Sequence, residues 1–275
     1  MKLERRIGPK PWGRAQLPAI FGDAGGERVG EIWFLATRDA PLMVKYIFTD
    51  ERLSIQNHPN DAQAHARGLP RGKEECWYIL DAAPGASLGL GFCREVSRDE
   101  IRASAADGSI VELLDWKPVA AGDFFYVPAG TVHAIGAGIS LLEFQQSSDV
   151  TYRLYDYGRP RELHLDDGAA VAWTGPYADE RSRKVDPSQS AMLVDGPKFS
   201  FAHVVQGNDF YRQFDGRRRW LIPLDSPVVA AGCRAAEGEC LLLDPNDKIE
   251  KIGGRAFIGV EGSVDANAAC RVPER

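Results

Sequence analysis

Two histidines, a glutamate and a glutamine stand at spacings that could build a metal site. Gln56 and His58 are two residues apart, so both side chains leave the same face of an extended segment. Glu75 opens a hydrophobic segment, and His133 follows the turn sequence Pro-Ala-Gly at 128–130. Two neutral imidazoles, a carboxylate and an amide oxygen would form an open site for Zn²⁺ or another divalent metal. These four residues are the candidate metal ligands.

Each candidate also has a structural explanation when it is taken alone. A single histidine is more often a surface or packed core residue, a glutamate an edge charge and a glutamine a solvated amide. The remaining histidines, His65, His164 and His203, have no ligand-type neighbours on the same face. The four candidates gain weight together, because each follows a strand pattern. The chain order Gly-Asp, Pro-x-Gly, His is that of a cupin half-barrel, and we therefore predict one metal site.

The elements that must position these residues are mostly short strands. Turn sequences separate them, and 28 glycines with 17 prolines argue against long helices. Helices are predicted only at 97–107, where Ser97 and Glu100 could form a capping box, and at 60–66. The pattern predicts a mainly β fold of sandwich or jelly-roll type with a few short helices. The nine segments with strand patterns are 30–37, 42–48, 75–80, 123–127, 140–144, 202–205, 221–224, 240–243 and 255–260.

The chain divides into two predicted domains. The stretch at 165–189 is rich in Asp, Gly, Pro and Ser, and a second set of strand patterns follows it. We therefore predict a metal-binding domain at 1–165, a connector at 166–189 and a second β domain at 190–275.

A strand pair of the first domain is repeated in the second. The segment ECWYIL at 75–80 corresponds to RRWLIP at 218–223, and each is followed by a second strand that ends in proline. In the second copy Arg218 stands where the first has Glu75, and no histidine follows Pro245. Only the first copy is therefore expected to bind metal.

Composition excludes several classes of protein. The 275 residues carry 33 Lys and Arg against 39 Asp and Glu, a net charge of -6, and the one basic run is at 217–219. Nucleic acid is therefore not an expected partner. No apolar stretch is long enough to span a membrane and the N-terminus lacks a signal peptide, so we expect a cytoplasmic protein with no membrane partner. Five cysteines without a Cys-x-x-Cys pair predict reduced, structural thiols.

Several separated motifs resemble those of the type I mannose-6-phosphate isomerase family in its short bacterial form. This resemblance implies two tandem cupin barrels, or double-stranded β-helices, of which the second is degenerate. The motifs are PWG at 11–13, GEIW at 30–33, LSIQNHPND at 53–61, GKEECWYILD at 72–81, PAGTVHAI at 128–135 and QQSSDVTYRLYDYGR at 145–159.

The resemblance also implies an activity, a cofactor and roles for residues. The four candidate ligands would bind one Zn²⁺ per chain, Arg153 would be the catalytic arginine, and Ser54 and Lys73 would contact the phosphorylated hexose. The implied reaction interconverts D-mannose 6-phosphate and D-fructose 6-phosphate. Alternation predicts that Thr151, Arg153 and Tyr155 share one strand face, directed into the cavity.

Some assignments stay open at the level of sequence. Arg153 remains protonated and cannot be the base, while Lys73 could be a catalytic base only if its pKa were lowered. A sugar-binding or sugar-sensing cupin without turnover is the alternative from another class, and an iron-dependent oxygenase cupin is a rival enzyme. The oligomeric state is not predicted.

Overall fold

The computed structural model describes residues 1–22, 25–37 and 40–262 and divides the chain into two units. The N-terminal unit is Leu3–Pro187, and the C-terminal unit combines Met1–Lys2 with Ser188–Arg275. Every strand pair in either unit is antiparallel. The predicted mainly β class is confirmed.

The N-terminal unit contains twelve strands and four helices among its described residues. The strands are β1 (Glu4–Arg14), β2 (Val29–Leu35), β3 (Leu42–Thr49), β4 (Ile55–Asn57), β5 (Glu75–Ala82), β6 (Ser87–Phe92), β7 (Leu114–Pro118), β8 (Asp123–Val127), β9 (His133–Ile135), β10 (Ile139–Gln146), β11 (Tyr152–Tyr155) and β12 (Arg183–Lys184). The helices are α1 (Asp61–His65), α2 (Arg98–Asp107), α3 (Ile110–Leu113) and α4 (Leu165–Val171).

Two sheets of this unit enclose its core in the manner of a jelly roll. One has the order β1-β2-β3-β10-β5-β8-β12 and the other β11-β4-β9-β6-β7. Side chains from both sheets meet in one apolar cluster, which includes Ile47 and Leu141 from the first sheet and Leu88 and Leu90 from the second. Alternation along each strand sends every second residue into this interior.

Helices cover the other face of the five-stranded sheet. Ile101 of α2 and Ala169 of α4 pack with Ile55 of β4 and Leu154 of β11 in a second apolar cluster. The α2 helix begins after Ser97, whose side chain accepts a hydrogen bond from the backbone N–H of Glu100 at 3.1 Å. The sheet β11-β4-β9-β6-β7 is therefore packed on both of its faces.

The C-terminal unit is a smaller β structure with an apolar interior. Its sheets have the orders β13-β14-β20-β15-β18 and β17-β16-β19, and both sheets contribute to one hydrophobic cluster. The strands are β13 (Ala191–Asp195), β14 (Phe199–Val205), β15 (Arg219–Pro223), β16 (Val228–Ala230), β17 (Cys233–Ala235), β18 (Leu241–Leu243), β19 (Ile249–Ile252) and β20 (Arg255–Glu261).

The register of β15 buries an arginine in the C-terminal unit. Arg219 is paired with Leu243 and Leu221 with Leu241, and these three leucines belong to the core cluster. Arg219 therefore shares the inward face, where it is completely buried and pairs with Asp215 at 2.8 Å. Arg218, which the sequence repeat aligns with Glu75, precedes β15 and is only partly buried.

All nine strand predictions and both helix predictions correspond to observed elements. The elements missing from the predictions are mostly strands of two to five residues, such as β4 and β9, whose length is too short for alternation to be recognised. The predicted connector at 166–189 holds most of α4 and the short strand β12, which pairs with β8. No helix among the described residues is long and apolar enough to cross a membrane. Cys76, Cys93, Cys233 and Cys240 are free thiols, and Cys270 lies outside the described residues.

Candidate active site

The candidate ligands stand at the ends of strands in the N-terminal unit. Gln56 of β4 is paired with His133, the first residue of β9, and His58 follows the last residue of β4. Glu75 is the first residue of β5 and is paired with neighbours on both sides, β8 and β10. Fewer side chains pack around the end of a strand than around its middle, so large polar side chains can converge there without displacing the core.

Two glycines allow the loops to bring these residues together. The N–H of Gly130 donates to the carbonyl of His58 at 2.7 Å, and Gly130 has a φ of +85°, which L side chains rarely adopt. At Gly72 an added Cβ would lie 2.4 Å from the backbone of Pro59 and Asn60. This close approach allows the N–H of Lys73 to donate to the Pro59 carbonyl at 3.0 Å.

His58, Glu75 and His133 form a buried cluster. Their candidate ligand atoms all lie within 4.8 Å of one another, and each residue is at most 2% exposed. The Nε2 atom of His58 is 3.7 Å from Oε2 of Glu75, and Nε2 of His133 is 3.5 Å from Oε1. Among the described residues, this is the only group of three or more His, Cys, Asp or Glu side chains with such spacing.

Backbone carbonyls fix the tautomer of both imidazoles. Nδ1 of His58 lies 2.8 Å from the Val150 carbonyl, and Nδ1 of His133 lies 2.8 Å from the Thr131 carbonyl. A carbonyl can only accept, so Nδ1 carries the proton and the lone pair is on Nε2, which faces Glu75. Burial lowers the pKa of His133 to about 4, and burial together with Lys73 lowers that of His58 well below its usual value. Both rings are therefore neutral at physiological pH.

This cluster fits a divalent cation. Two imidazole lone pairs and a carboxylate point at one another, and Oε1 of the buried Glu75 has no hydrogen bond among the described residues. Lys73 Nζ is 2.6 Å from Glu75 Oε2 and 3.1 Å from His58 Nε2. Its ammonium group therefore partly balances the negative charge and lone pairs of the cluster. Nitrogen and carboxylate ligands with an open position are the set that catalytic zinc prefers.

Gln56 reaches the cluster with its nitrogen. Its Nε2 lies 3.5 Å from Nε2 of His133, and its Oε1 accepts a hydrogen bond from the Ser54 hydroxyl at 3.0 Å. The predicted amide-oxygen ligand is therefore next to the cluster but is turned away from it. The two ends of an amide have the same shape, so a half-turn of this group would direct its oxygen to a metal ion.

The cluster borders a polar cavity of about 390 Å³, within the range of roughly 300–1,000 Å³ that small-molecule sites occupy. The sequence-predicted residues Ser54, Gln56, Lys73, Glu75 and Arg153 all line it. Its other lining residues are Lys10, Trp12, Glu31, Trp33, Lys45, Ile47, Leu53, Trp77, Ile135, Glu143, Ser148, Asp149, Thr151 and Arg161.

Sequence reasoning missed a second buried group of charges, Lys45 and Glu143. Neighbouring strands pair these two residues, and Lys45 Nζ lies 3.5 Å from Glu143 Oε1. Trp77 donates its indole N–H to Glu143 Oε2 at 3.0 Å. The available signal was a lone charge inside an otherwise apolar strand, since unpaired charges are rarely buried there.

The carboxylates of Glu143 and Glu75 affect the charge of Lys73. Burial favours its neutral amine, but Glu143 and Glu75 outweigh that effect and raise the pKa of Lys73. These two carboxylates therefore favour the ammonium form of Lys73.

The face predicted for β11 is only partly correct. Thr151 and Arg153 line the cavity, but Tyr155 packs against the helix-covered cluster on the other side. The cause is a register shift between Arg153 and Tyr155, where β11 pairs with β4. Arg153 donates from Nη1 to the Glu162 carbonyl at 2.8 Å, while its buried Nε has no hydrogen-bond partner among the described residues.

The fold and this site together define a cupin with a candidate metal centre in its N-terminal barrel. The chain is 41% identical over 241 residues to the mannose-6-phosphate isomerase of Streptococcus mutans. The alignment covers 72% of this chain and 76% of that protein. The chain therefore belongs to the mannose-6-phosphate isomerase family. No family model matches the chain.

Solved structures agree on the fold. The mannose 6-phosphate isomerase of Bacillus subtilis aligns with a TM-score of 0.69 at 24% identity, over 95% of this chain and 96% of that one. A zinc-bound mannose 6-phosphate isomerase aligns with a TM-score of 0.68 at 14% identity, over 95% of this chain and 99% of that one.

Proposed function

We propose that this chain is a zinc-dependent isomerase that interconverts D-mannose 6-phosphate and D-fructose 6-phosphate. The observation that carries the proposal is the buried cluster of two imidazole lone pairs and a carboxylate, which borders a cavity lined by lysines and arginines. Family membership at 41% identity supports the choice of substrate. A binding module without turnover would have no chemical need for both the cluster and the buried charges beside it.

His58, Glu75 and His133 would hold the zinc ion, with Gln56 as a fourth ligand after its amide turns. A divalent ion held there would supply Lewis-acid stabilisation of the negative charge that develops on the sugar. Gln56 and Glu75 also line the cavity, so the sugar would reach the ion from that side.

The reaction moves one proton between C1 and C2 and leaves the atomic composition unchanged. Glu143 is the cavity carboxylate suited to carry that proton, because its Oε1 is buried without a hydrogen-bond partner among the described residues. Trp77 and Lys45 hold the carboxylate in position. Lys73, as an ammonium group, would donate a hydrogen bond to a sugar oxygen that gains negative charge.

A coupled assay for fructose 6-phosphate tests the function directly. We expect turnover of mannose 6-phosphate by the purified protein, loss of that turnover with a chelator and recovery when zinc is added. Elemental analysis should find about one zinc per chain, since one site of zinc-binding composition is present. Binding of the sugar phosphate without product would support the non-catalytic alternative, and iron in place of zinc would support an oxygenase.

A further inference from the structure

A buried carboxylate beside the cavity holds two arginines. Asp156 has a side chain only 1% exposed, and its oxygens accept hydrogen bonds from both Arg159 and Arg161. Arg161 makes the two-pronged contact that suits a guanidinium and a carboxylate, from Nε to Oδ2 at 2.5 Å and from Nη2 to Oδ1 at 2.8 Å. One negative charge therefore faces two positive charges.

The two arginines have different surroundings. Arg159 donates from Nη2 to the Arg52 carbonyl at 2.6 Å and from Nε to the Asp156 carbonyl at 3.2 Å, and it does not line the cavity. Arg161 does line the cavity, and its Nη1 has no hydrogen bond within the described part of the chain. Arg159 therefore ties two loops together, whereas Arg161 presents free donors to the cavity.

Arg161 stands close enough to Arg153 to affect the pKa of its guanidinium group. Burial, followed by the positive charge of Arg161, lowers the pKa of Arg153. Two guanidinium groups at one wall of a cavity repel each other unless an anion lies between them. The carboxylate of Asp149 also lines the cavity but is exposed to solvent.

We propose that Arg161, held by Asp156, binds the phosphate group of the sugar beside Arg153 and gives the site its preference for phosphorylated over free sugars. This inference rests on the proposed isomerase function for the identity of the sugar. Asp156 is a positioning residue, because its contact with Arg161 fixes the guanidinium plane. A fixed guanidinium plane loses little conformational entropy when it binds a phosphate.

The test compares two arginines that share one carboxylate. Arg161→Gln should raise the KM for mannose 6-phosphate and the inhibition constant of inorganic phosphate about 10- to 100-fold, the scale of a lost charged hydrogen bond. The change in kcat should be small, and the zinc content should not change. Arg159→Gln, the matched control, should alter both constants by less than about threefold. Arg161→Lys should recover only part of the affinity, because lysine lacks the planar fork.

Further measurements separate the possible failures. Asp156→Asn should raise KM more than it lowers kcat. If the Asp156→Asn variant does not fold, Arg161→Gln tests the same contact. Calorimetric binding of inorganic phosphate does not depend on turnover. If the wild type does not isomerise the sugar but Arg161→Gln still loses phosphate binding, the proposed function is wrong and the anion site stands. An unchanged KM and phosphate affinity in Arg161→Gln, or equal effects of Arg159→Gln, would overturn the inference.

Discussion

At the scale of single residues, the site depends on the direction of a few lone pairs. The carbonyls of Val150 and Thr131 occupy Nδ1 of the two histidines, so both Nε2 atoms point at Glu75. Orientation by such second contacts raises the metal affinity of histidine ligands. The direction of the histidine lone pairs is therefore set by Val150 and Thr131, which are not candidate ligands themselves.

The removal of one imidazole should weaken metal binding. We expect His133→Ala to lower zinc affinity by ~10-fold or more, because one of few ligands is lost. His65→Ala is the matched control, since the His65 ring is exposed and bonds to the Pro70 carbonyl instead of facing the cluster. Zinc titration with a competing chelator measures both. Unchanged affinity in His133→Ala would remove this residue from the site.

Arg153 should affect turnover and leave the metal in place. We expect Arg153→Ala to lower kcat by ~10²–10³, the scale of a lost donor to developing negative charge, and Arg153→Lys to recover part of it. Zinc content is measured on the same samples. Near-normal turnover would refute a catalytic role, and loss of zinc would show that Arg153 supports the ligand strands.

At the scale of elements, turns and register place the charged groups. A register shift in β11 separates Arg153 from Tyr155, and the pairing of β3 with β10 sets Lys45 opposite Glu143. The turn at Gly130 brings the start of β9 against His58. Small changes in these local features should therefore disturb the site more than equal changes elsewhere.

Gly130→Ala should destabilise the site beyond the cost of its backbone angle. Gly130 and Gly85 have φ values of +85° and +80°, but an added Cβ at Gly130 meets the Val171 carbonyl at 2.8 Å and at Gly85 meets nothing within 4 Å. Alanine at a left-handed position costs about 1–2 kcal/mol, so Gly85→Ala should lower Tm by about 2–8 °C. Gly130→Ala should lower Tm further and weaken zinc binding.

Thermal melts and zinc titrations of the two glycine variants decide the point. Equal Tm changes, with zinc affinity kept in both, would contradict a special role for the 130 turn.

At the scale of the whole molecule, the two units differ in what their interiors hold. The N-terminal unit encloses a polar cavity, whereas the C-terminal unit has an apolar core with one buried arginine, Arg219. We propose that the second unit is a β domain without a catalytic role.

Substitutions in the C-terminal unit should therefore spare turnover. We expect Arg218→Ala and Asp247→Ala to keep kcat/KM within about twofold, the usual range for surface changes, with normal zinc content. Steady-state kinetics and melting curves of both variants are the measurements. If turnover disappeared while stability and zinc content stayed normal, this unit would need a direct chemical role.

The sequence by itself determined the fold class and predicted the candidate ligands. Alternating, β-branched and aromatic residues over four or more positions revealed nine of the strands, because a two-residue period is a local property. The spacing of Gln56 and His58, and the Pro-Ala-Gly turn before His133, were equally local. The strands β4 and β9, each three residues long, gave no such pattern.

Only the tertiary structure decided which charges meet. Lys45 and Glu143 are far apart in the chain, and their contact depends on sheet register. The same holds for Arg219, whose burial depends on the pairing of β15 with β18. The lone pairs of His58 and His133 were assigned only when their carbonyl partners became visible. Long-range pairing fixes these features, because a side chain's charge and direction depend on neighbours that local periodicity does not specify.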